Sequence, residues 1–479
     1  MLSILLLVLG WVLNLLSLPW RWLWRVCRQV CRSTRTFWGL TKMEAEIGGL
    51  ANLQNLLIQA NLTAGKLFYL EKRFPEAADM LSEVISREPE NKDARYYRGL
   101  SYSLLRETEK AHEDLSIAAE NSSAPETFMA LARTKQALSD FAGAMWACEQ
   151  ALRLDTPDVE GALIMKGRAF AGLQEFDSAI AVYEQCLTTV NERSTGAVIG
   201  KGLALMSLAE RRDTAKWHEA IEWFSPWIAR QPRVSDYLVH RGYAYLQGRG
   251  DWGHAIADFR RGQTINPRDT KVWEYEGDAW YGATLKAWFA NQATWIRPCA
   301  IEAERCFKEG AFVASRYYRP VLHNKLSLVS QMRGNYREAV ADAKMSTEIS
   351  DDWHNHLAFV TALISDEQFR SADNHIAHLP EGVIPADNIA VQALFALFKI
   401  MAAIGRGTSA SDLKPDIRKL ASALQALPTG KLESWGWDWH IARSRIQLKV
   451  KHSGRMLLDA VLNAVDGTLL PNELRSTWG

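Results

Sequence analysis

The chain has 479 residues, of which 48% are hydrophobic and 23% are charged, so it can bury a large core. Its 56 lysines and arginines nearly balance its 55 aspartates and glutamates. This balance argues against a general nucleic-acid binder, because such proteins are basic. The six cysteines form no C-x-x-C pair, which is typical of buried, reduced thiols.

The first predicted element is an apolar run from Leu2 to Leu18. Its length is near the lower end of the roughly 17–25 residues that cross a bilayer as a helix. No lysine or arginine precedes the run and no small-residue cleavage site follows it, so a cleaved signal peptide is disfavoured. The pattern predicts a retained transmembrane anchor at residues 1–20, with a helix lying in the membrane interface as the alternative.

A basic segment follows this run. Five arginines recur every three or four residues, and a helix places such residues on one side. Residues 21–42 are therefore predicted to form an amphipathic juxtamembrane helix, with aromatic rings at headgroup depth and arginines against anionic lipid. The residues assigned to the membrane and lipid are Trp20, Arg21, Trp24, Arg25, Arg28, Arg32 and Arg35. Because positive charge stays on the inner side, the rest of the chain is predicted to be cytoplasmic.

A helix–turn–helix pattern begins after a linker and lead-in helix at residues 43–57. Gly65 and Phe68 lie in a first predicted helix, and Ala77 and Leu81 share one face of a second, which ends at Pro89. Similar small residues recur at Gly99, Ala132, Gly167, Gly202, Gly242 and Gly277.

This pattern resembles the tetratricopeptide repeat, a helix–turn–helix unit of about 34 residues. The resemblance implies an all-α fold: a right-handed solenoid of helix pairs that follows the N-terminal transmembrane or interfacial helix. About eight repeats are expected in residues 58–351, with insertions near 210–215 and 282–298. Residues 352–479 are predicted to be divergent helical repeats or a C-terminal cap.

The first helices of such repeats line a groove that binds partner proteins. Tyrosine and arginine, which dominate binding hot spots, are frequent at their non-core positions. The predicted partner-binding groove comprises Lys66, Tyr69, Tyr96, Met129, Arg133, Arg168, Met206, Tyr243, Asp278 and Tyr281. The second insertion carries Trp288, Phe289 and Trp295, which either contact a partner or pack on the neighbouring repeat.

Two groove arginines, Arg133 and Arg168, lie one repeat apart and are expected to attract an acidic or phosphorylated segment. The lysine–asparagine–arginine clamp of chaperone-binding relatives lacks its asparagines here, so that activity is not expected.

No catalytic residue, metal site or cofactor is predicted, and the signatures H-E-x-x-H and G-x-S-x-G do not occur. Together with the anchor, the resemblance predicts a single-pass protein of a bacterial inner membrane with cytoplasmic repeats. Its partners would be other proteins of an envelope, secretion or polysaccharide machine, and not nucleic acid. One alternative is an organelle protein-import or chaperone-type receptor. Another is a non-classical enzyme or channel subunit that uses the tryptophan-rich C-terminal region.

Overall fold

The computed structural model describes residues 49–479 except 121, 212, 429–431, 433–439 and 451. In this part the chain forms 23 helices and no strand, which confirms the predicted all-α repeat architecture. The chain divides into two compact units, Met1–Glu192 and Arg193–Gly479, called the N-terminal unit and the C-terminal unit.

The described part of the N-terminal unit is a stack of helical hairpins. Each odd-numbered helix packs on the even-numbered helix of its own hairpin and on the odd-numbered helix of the next. The odd-numbered helices therefore lie side by side and share one surface. The helices are α1 (Gly49–Leu70), α2 (Phe74–Arg87), α3 (Lys92–Leu104), α4 (Thr108–Ala119), α5 (Pro125–Ala137), α6 (Phe141–Arg153), α7 (Val159–Gly172) and α8 (Phe176–Thr189).

A glycine in the first helix lets a hairpin close. A Cβ added at Gly65 would lie 2.6 Å from Cγ of Leu81 in α2. A Cβ added at Gly167 would lie 2.5 Å from the ring of Tyr183 in α8. Carbon atoms do not approach this closely in packed interiors, so the large side chain of the second helix occupies the space left by the glycine.

The turn inside each N-terminal hairpin contains one left-handed residue. These residues are Lys72, Arg106, Ser139 and Gln174, with φ of 61°, 63°, 61° and 68°. A left-handed conformation is costly for a residue with a Cβ, and two turns of the C-terminal unit have glycine there, at 250 and 334. A left-handed residue therefore recurs once in each N-terminal hairpin, with the period of the repeat.

A largely buried arginine joins neighbouring hairpins. Arg98 of α3 donates to both carboxylate oxygens of Asp114 in α4, at 2.6 and 2.8 Å, and to Oγ of Ser82 in α2, at 3.0 Å. Asp114 is 1% exposed and also accepts a 3.0 Å hydrogen bond from Arg95. This arginine–aspartate–serine contact ties three successive helices together.

The C-terminal unit contains the remaining helices. They are α9 (Thr195–Arg211), α10 (Ala215–Arg230), α11 (Ser235–Arg249), α12 (Trp252–Ile265), α13 (Thr270–Phe289), α14 (Ala293–Val313), α15 (Arg319–Met332), α16 (Tyr336–Ile349), α17 (Trp353–Ser365), α18 (Phe369–Ala377), α19 (Ile389–Gly405), α20 (Lys414–Ala426), α21 (His440–Lys449), α22 (His452–Val465) and α23 (Pro471–Trp478).

The arginine–aspartate–serine contact recurs in the C-terminal unit. Arg241 of α11 donates to Asp258 of α12 at 2.8 and 2.7 Å and to Ser225 of α10 at 3.1 Å. The same arginine–aspartate–serine contact therefore joins successive helices in both units.

The insertion after Trp280 lengthens both helices of one hairpin. Helices α13 and α14 span 20 and 21 residues, and a short turn at 290–292 separates them. The sequence predicts that Pro298 begins the second helix, but α14 begins at Ala293 and Pro298 lies in its second turn. The insertion is thus a helical extension of the hairpin rather than a loop.

The last helices share one core. Helix α19 packs against α17, α18, α20, α21 and α22, and most of its side chains are buried. A single hydrophobic cluster runs from Leu357 in α17 to Leu474 in α23. The chain thus ends around a central apolar helix rather than in further two-layer hairpins.

The predicted localisation needs correction. None of the described helices is both long enough and apolar enough to cross a bilayer. Helix α14, one of the longest, carries Glu302, Arg305 and Lys308 between its buried residues. On this finding the predicted single-pass membrane protein with cytoplasmic repeats is wrong, and its transmembrane helix is not supported. The proposed anchor at 1–20, the basic segment at 21–42 and their lipid-contact residues lie outside the described residues.

Candidate protein-binding site

Four of the predicted groove residues line one cavity in the N-terminal unit. The cavity measures about 200 Å³ and lies on the surface shared by the odd-numbered helices. Tyr69 comes from α1, Tyr96 from α3, and Met129 and Arg133 from α5. Residues far apart in sequence therefore meet because three successive first helices pack side by side.

Aromatic rings form the wall of this cavity on the side of α1 and α3. The ring of Tyr97 lies between two tyrosines, with its centroid 5.6 Å from that of Tyr69 and 5.2 Å from that of Tyr96. Burial raises the pKa of both Tyr69 and Tyr96, and the positive charge of Arg133 acts against this rise. The two phenols therefore stay neutral hydrogen-bonding groups beside a cation.

The two groove arginines differ from the groove lysine in their pairing. Arg133 and Arg168 are exposed, and neither forms an ion pair with a residue of the described chain. Lys66, in contrast, donates to Asp93 at 2.6 Å and lies 5.1 Å from the ring centroid of Tyr97. Arg133 lines the cavity, whereas Lys66 and Arg168 lie on the same layer of helices but outside its lining.

The far side of the cavity is polar. Glu126 of α5 lines it, as do Thr156, Pro157 and Asp158 at the approach to α7. Asp158 is already engaged, because its carboxylate accepts the backbone N–H of Gly161 at 2.9 Å and so caps α7. The cavity thus offers an apolar and aromatic floor between an arginine and a glutamate, which suits a polypeptide better than a purely apolar ligand.

The predicted groove residues of the C-terminal unit lie in a different environment. Met206 is buried, with 4% exposure. The ring of Tyr243 packs on those of Trp217 and Tyr275, and its hydroxyl lies 3.5 Å from Glu210. Burial raises the pKa of Tyr243 to about 12, and the charge of Glu210 adds to this effect. Tyr281 packs against the core between α14 and α15.

Asp278 belongs to a closed ionic network. Lys325 of α15 donates to both oxygens of Asp278, at 2.7 and 2.6 Å, and to Glu274 at 2.7 Å. Tyr318 donates to the second oxygen of Glu274. Burial alone would lower the pKa of Lys325, but the carboxylates of Asp278 and Glu274 outweigh it and raise the pKa. The charge of Asp278 is therefore used within the protein.

The aromatic residues of the insertion cluster at the turn between α13 and α14. Trp288 is half-buried, whereas Phe289 and Trp295 are 64% and 62% exposed. The structure therefore places two large aromatic side chains at the end of the longest hairpin. Their contact with a partner stays a prediction.

Some important residues were not singled out from the sequence. Glu274, Tyr318 and Lys325 carry the C-terminal network, but Glu274 and Lys325 are common residue types at ordinary helical positions, and Tyr318 lies in the turn before α15. The segment at 248–253, GRGDWG, matches the dinucleotide-binding pattern G-x-G-x-x-G. In the structure it joins helix α11 to helix α12, so the strand that this motif requires does not precede it.

Comparison with known proteins supports the repeat assignment. A family model described as Tetratricopeptide repeat matches residues 62–125 and 129–191. No curated protein matches the chain significantly.

Several solved structures resemble the fold. A tetratricopeptide repeat protein from Parabacteroides merdae is 17% identical, with 57% of this chain and 99% of that chain covered and a TM-score of 0.45. PilW, a type IV pilus biogenesis factor, is 17% identical, with coverage of 45% and 96% and a TM-score of 0.38. YrrB, a repeat protein with an unusual peptide-binding site, is 19% identical, with coverage of 41% and 96% and a TM-score of 0.30. Identities this low concern the fold alone.

The period of the hairpins, the glycine contacts and the family match agree with one another. The chain carries tetratricopeptide repeats at residues 62–125 and 129–191.

Proposed function

We propose that the chain is an adaptor that holds an extended segment of a partner protein on the first helices of its N-terminal unit. The observation that carries this proposal is the cavity of about 200 Å³ lined by Tyr69, Tyr96, Met129 and Arg133. Repeats of this family serve as protein-interaction scaffolds. Their fold is typical of scaffolds rather than of enzymes.

The chemistry of the cavity defines the segment. Tyrosine and methionine side chains accept an apolar side chain, since tyrosine is a preferred hot-spot residue and methionine adapts its shape. Arg133, and Arg168 one repeat further on, supply charges that are not used by described residues. A guanidinium binds carboxylate or phosphate with two parallel hydrogen bonds. The segment we expect therefore carries an apolar residue followed or preceded by an acidic or phosphorylated one.

The functional consequence is assembly. A protein that captures such segments brings their parent proteins together, as expected of an adaptor in a multi-protein complex. The affinity of one short segment is modest, because ordering an extended peptide costs conformational entropy. Stable complexes would therefore use more than one contact on the adaptor.

Quantitative affinity purification with the full chain as bait tests this proposal. The variant Arg133→Glu/Arg168→Glu reverses both charges without altering the buried core. We expect partner recovery to fall by at least about tenfold, which corresponds to roughly 1.4 kcal/mol.

The matched control is Arg87→Glu/Arg153→Glu, which makes the same total charge change at exposed positions of the second helices α2 and α6. It should recover the same partners as the unmodified protein. If the double variant also recovers them at an unchanged level, the groove assignment is wrong.

A further inference from the structure

A second groove lies in the C-terminal unit, where helix α18 is unusually short. Helix α18 has nine residues, whereas the second helices α12 and α16 have 14 each. The chain then crosses to α19 through residues 378–388, which include Pro380 and Pro385. Proline cannot continue a helix, so Pro380 explains why α18 is short. A groove is consequently left above α19 between α18 and α20, and the Phe395 and Ala396 side chains in its floor are 3% and 6% exposed.

The floor of this groove is a stripe of α19. Gln392, Phe395, Ala396 and Lys399 lie at positions i, i+3, i+4 and i+7, so they share one helical face. The cavity above them measures about 360 Å³. This volume lies within the range of about 300–1,000 Å³ that is typical of ligand sites.

The walls of the groove are apolar and held in place. Ile376 of α18 and Ile384 of the connecting loop line it, and both pack against the large C-terminal core. Gln392 donates to the carbonyl oxygens of Pro385 and Ala386, at 3.1 and 2.9 Å. These two hydrogen bonds fix the loop and therefore preform the groove.

The mouth of the groove carries excess positive charge. Lys399 donates to Asp416 of α20 at 2.8 Å, so these two charges offset each other. Lys419, one turn further along α20, also lines the groove, is exposed and forms no ion pair with a described residue. An apolar floor beneath an unpaired amine matches a ligand that is apolar at one end and negative at the other.

We propose that this groove is a second docking site, which binds an extended segment of a partner protein with a bulky apolar residue next to an acidic one. The floor spans the eight residues from Gln392 to Lys399, a rise of about 10 Å at 1.5 Å per residue. An extended chain covers this length with about three residues at 3.3 Å each. The apolar side chain fills the space above Phe395 and Ala396, and the carboxylate pairs with Lys419. This site is independent of the N-terminal groove and would let one chain hold two partners.

Fluorescence anisotropy with the full chain tests the proposal. The probe is a fluorescein-labelled nonapeptide with Leu-Phe-Glu between flanking Gly-Ser residues, and a second probe has Gln in place of Glu. We expect Ala396→Trp, which fills the floor, and Lys419→Glu, which reverses the charge at the mouth, each to weaken the Glu probe by about tenfold or more. Lys419→Glu should change binding of the Gln probe by less than about twofold.

The matched control is Lys414→Glu, an exposed lysine of the same helix that does not line the groove. It should bind the Glu probe like the unmodified chain. Lys419→Glu alters only an exposed side chain, so it remains informative if Ala396→Trp does not fold. The proposal is overturned if the Glu probe does not bind at about 1 mM, or if it binds Lys419→Glu and the unmodified chain equally. Binding of octanoate without binding of the peptide would also overturn it, since the occupant would then be a small amphiphile.

Discussion

The two units place opposite chemistry at equivalent positions of their first helices. Arg133, Arg168 and Asp278 each directly follow the small residue that packs against the second helix. In the N-terminal unit the two arginines are exposed and form no ion pair with described residues. In the C-terminal unit Asp278 is held by Lys325 at 2.6 Å. At Arg133 and Arg168 this position is therefore open to a ligand, whereas at Asp278 an internal contact closes it.

This difference shows that position in the repeat does not by itself define a binding residue. A charge contributes to binding when the fold leaves it unpaired, and it contributes to stability when a neighbouring helix supplies the counter-charge. The two roles predict different responses to substitution, from stability in the C-terminal unit to partner affinity in the N-terminal unit.

The largest loss of stability is expected for Lys325→Met in the C-terminal unit. It leaves the carboxylates of Glu274 and Asp278 without their counter-ion in a largely buried site. Removing one partner of such a network costs about 3–5 kcal/mol of unfolding free energy. Urea denaturation should show this loss, whereas Arg133→Met should change stability by less than about 0.5 kcal/mol. Similar losses in the two variants would contradict the distinction drawn here.

A somewhat smaller loss of unfolding free energy is expected for Asp114→Asn, which tests the arginine–aspartate–serine contact that both units contain. Asp114 accepts hydrogen bonds from Arg95 and Arg98, and an amide in its place turns a donor toward one guanidinium. We expect a loss of about 3 kcal/mol. The equivalent Asp258→Asn should cost less, since one arginine rather than two contacts Asp258. The reverse order in urea denaturation would count against this account of the framework.

Lowering the pH should destabilise the C-terminal unit. Burial lowers the pKa of His240 to about 4, and the charge of Lys271 adds to this effect. An unfolded histidine titrates near 6.5, so the unfolded chain binds more protons between these values and stability falls as the pH falls. Between pH 7.5 and 5 we expect a loss of about 2 kcal/mol from this group.

Hydrogen exchange can locate this loss in α11. The variant His240→Gln does not titrate and should show a correspondingly shallower dependence of stability on pH. An unchanged slope would mean that His240 is not the responsible group.

The smallest effect is expected in the N-terminal turns. Ser139 has a φ of 61°, a conformation that glycine adopts without the clash of a Cβ. Ser139→Gly should raise the unfolding free energy by about 0.5–1 kcal/mol, because a left-handed non-glycine residue costs roughly 1–2 kcal/mol and glycine adds some entropy to the unfolded chain. Gly334→Ser, which makes the opposite change in the C-terminal unit, should lower it. Thermal unfolding of both variants would test whether Ser139→Gly raises the stability and Gly334→Ser lowers it.

Much of the fold could be predicted because the repeat pattern is local. Gly65 and Leu81 are 16 residues apart and meet in one hairpin, so a single sequence window contains both. The family match begins at residue 62 and supports this part of the prediction. The helix bounds around Pro298 were missed, since a proline tolerated inside α14 has the same sequence signal as one that begins a helix.

The candidate sites were harder to predict from the sequence than the fold. Tyr69, Tyr96, Met129 and Arg133 were identified from their helical register, and the structure places them around one cavity. Whether a charge is paired depends on another helix, however. Lys325 lies 47 residues after Asp278, and no short-range pattern reports that contact. The groove above Phe395 depends on the length of α18, which becomes visible only when the neighbouring helices are placed.

The arginine–aspartate–serine contact has a consequence for how the protein unfolds. Arg98 bonds Asp114 within its own hairpin and Ser82 in the hairpin before it. In repeat proteins, stability is a sum of intrinsic terms and nearest-neighbour coupling terms. A single guanidinium here serves both terms at once, so fraying of the first hairpin removes one hydrogen bond from the second before that hairpin itself opens. Cooperativity between these repeats therefore has an identifiable atomic origin.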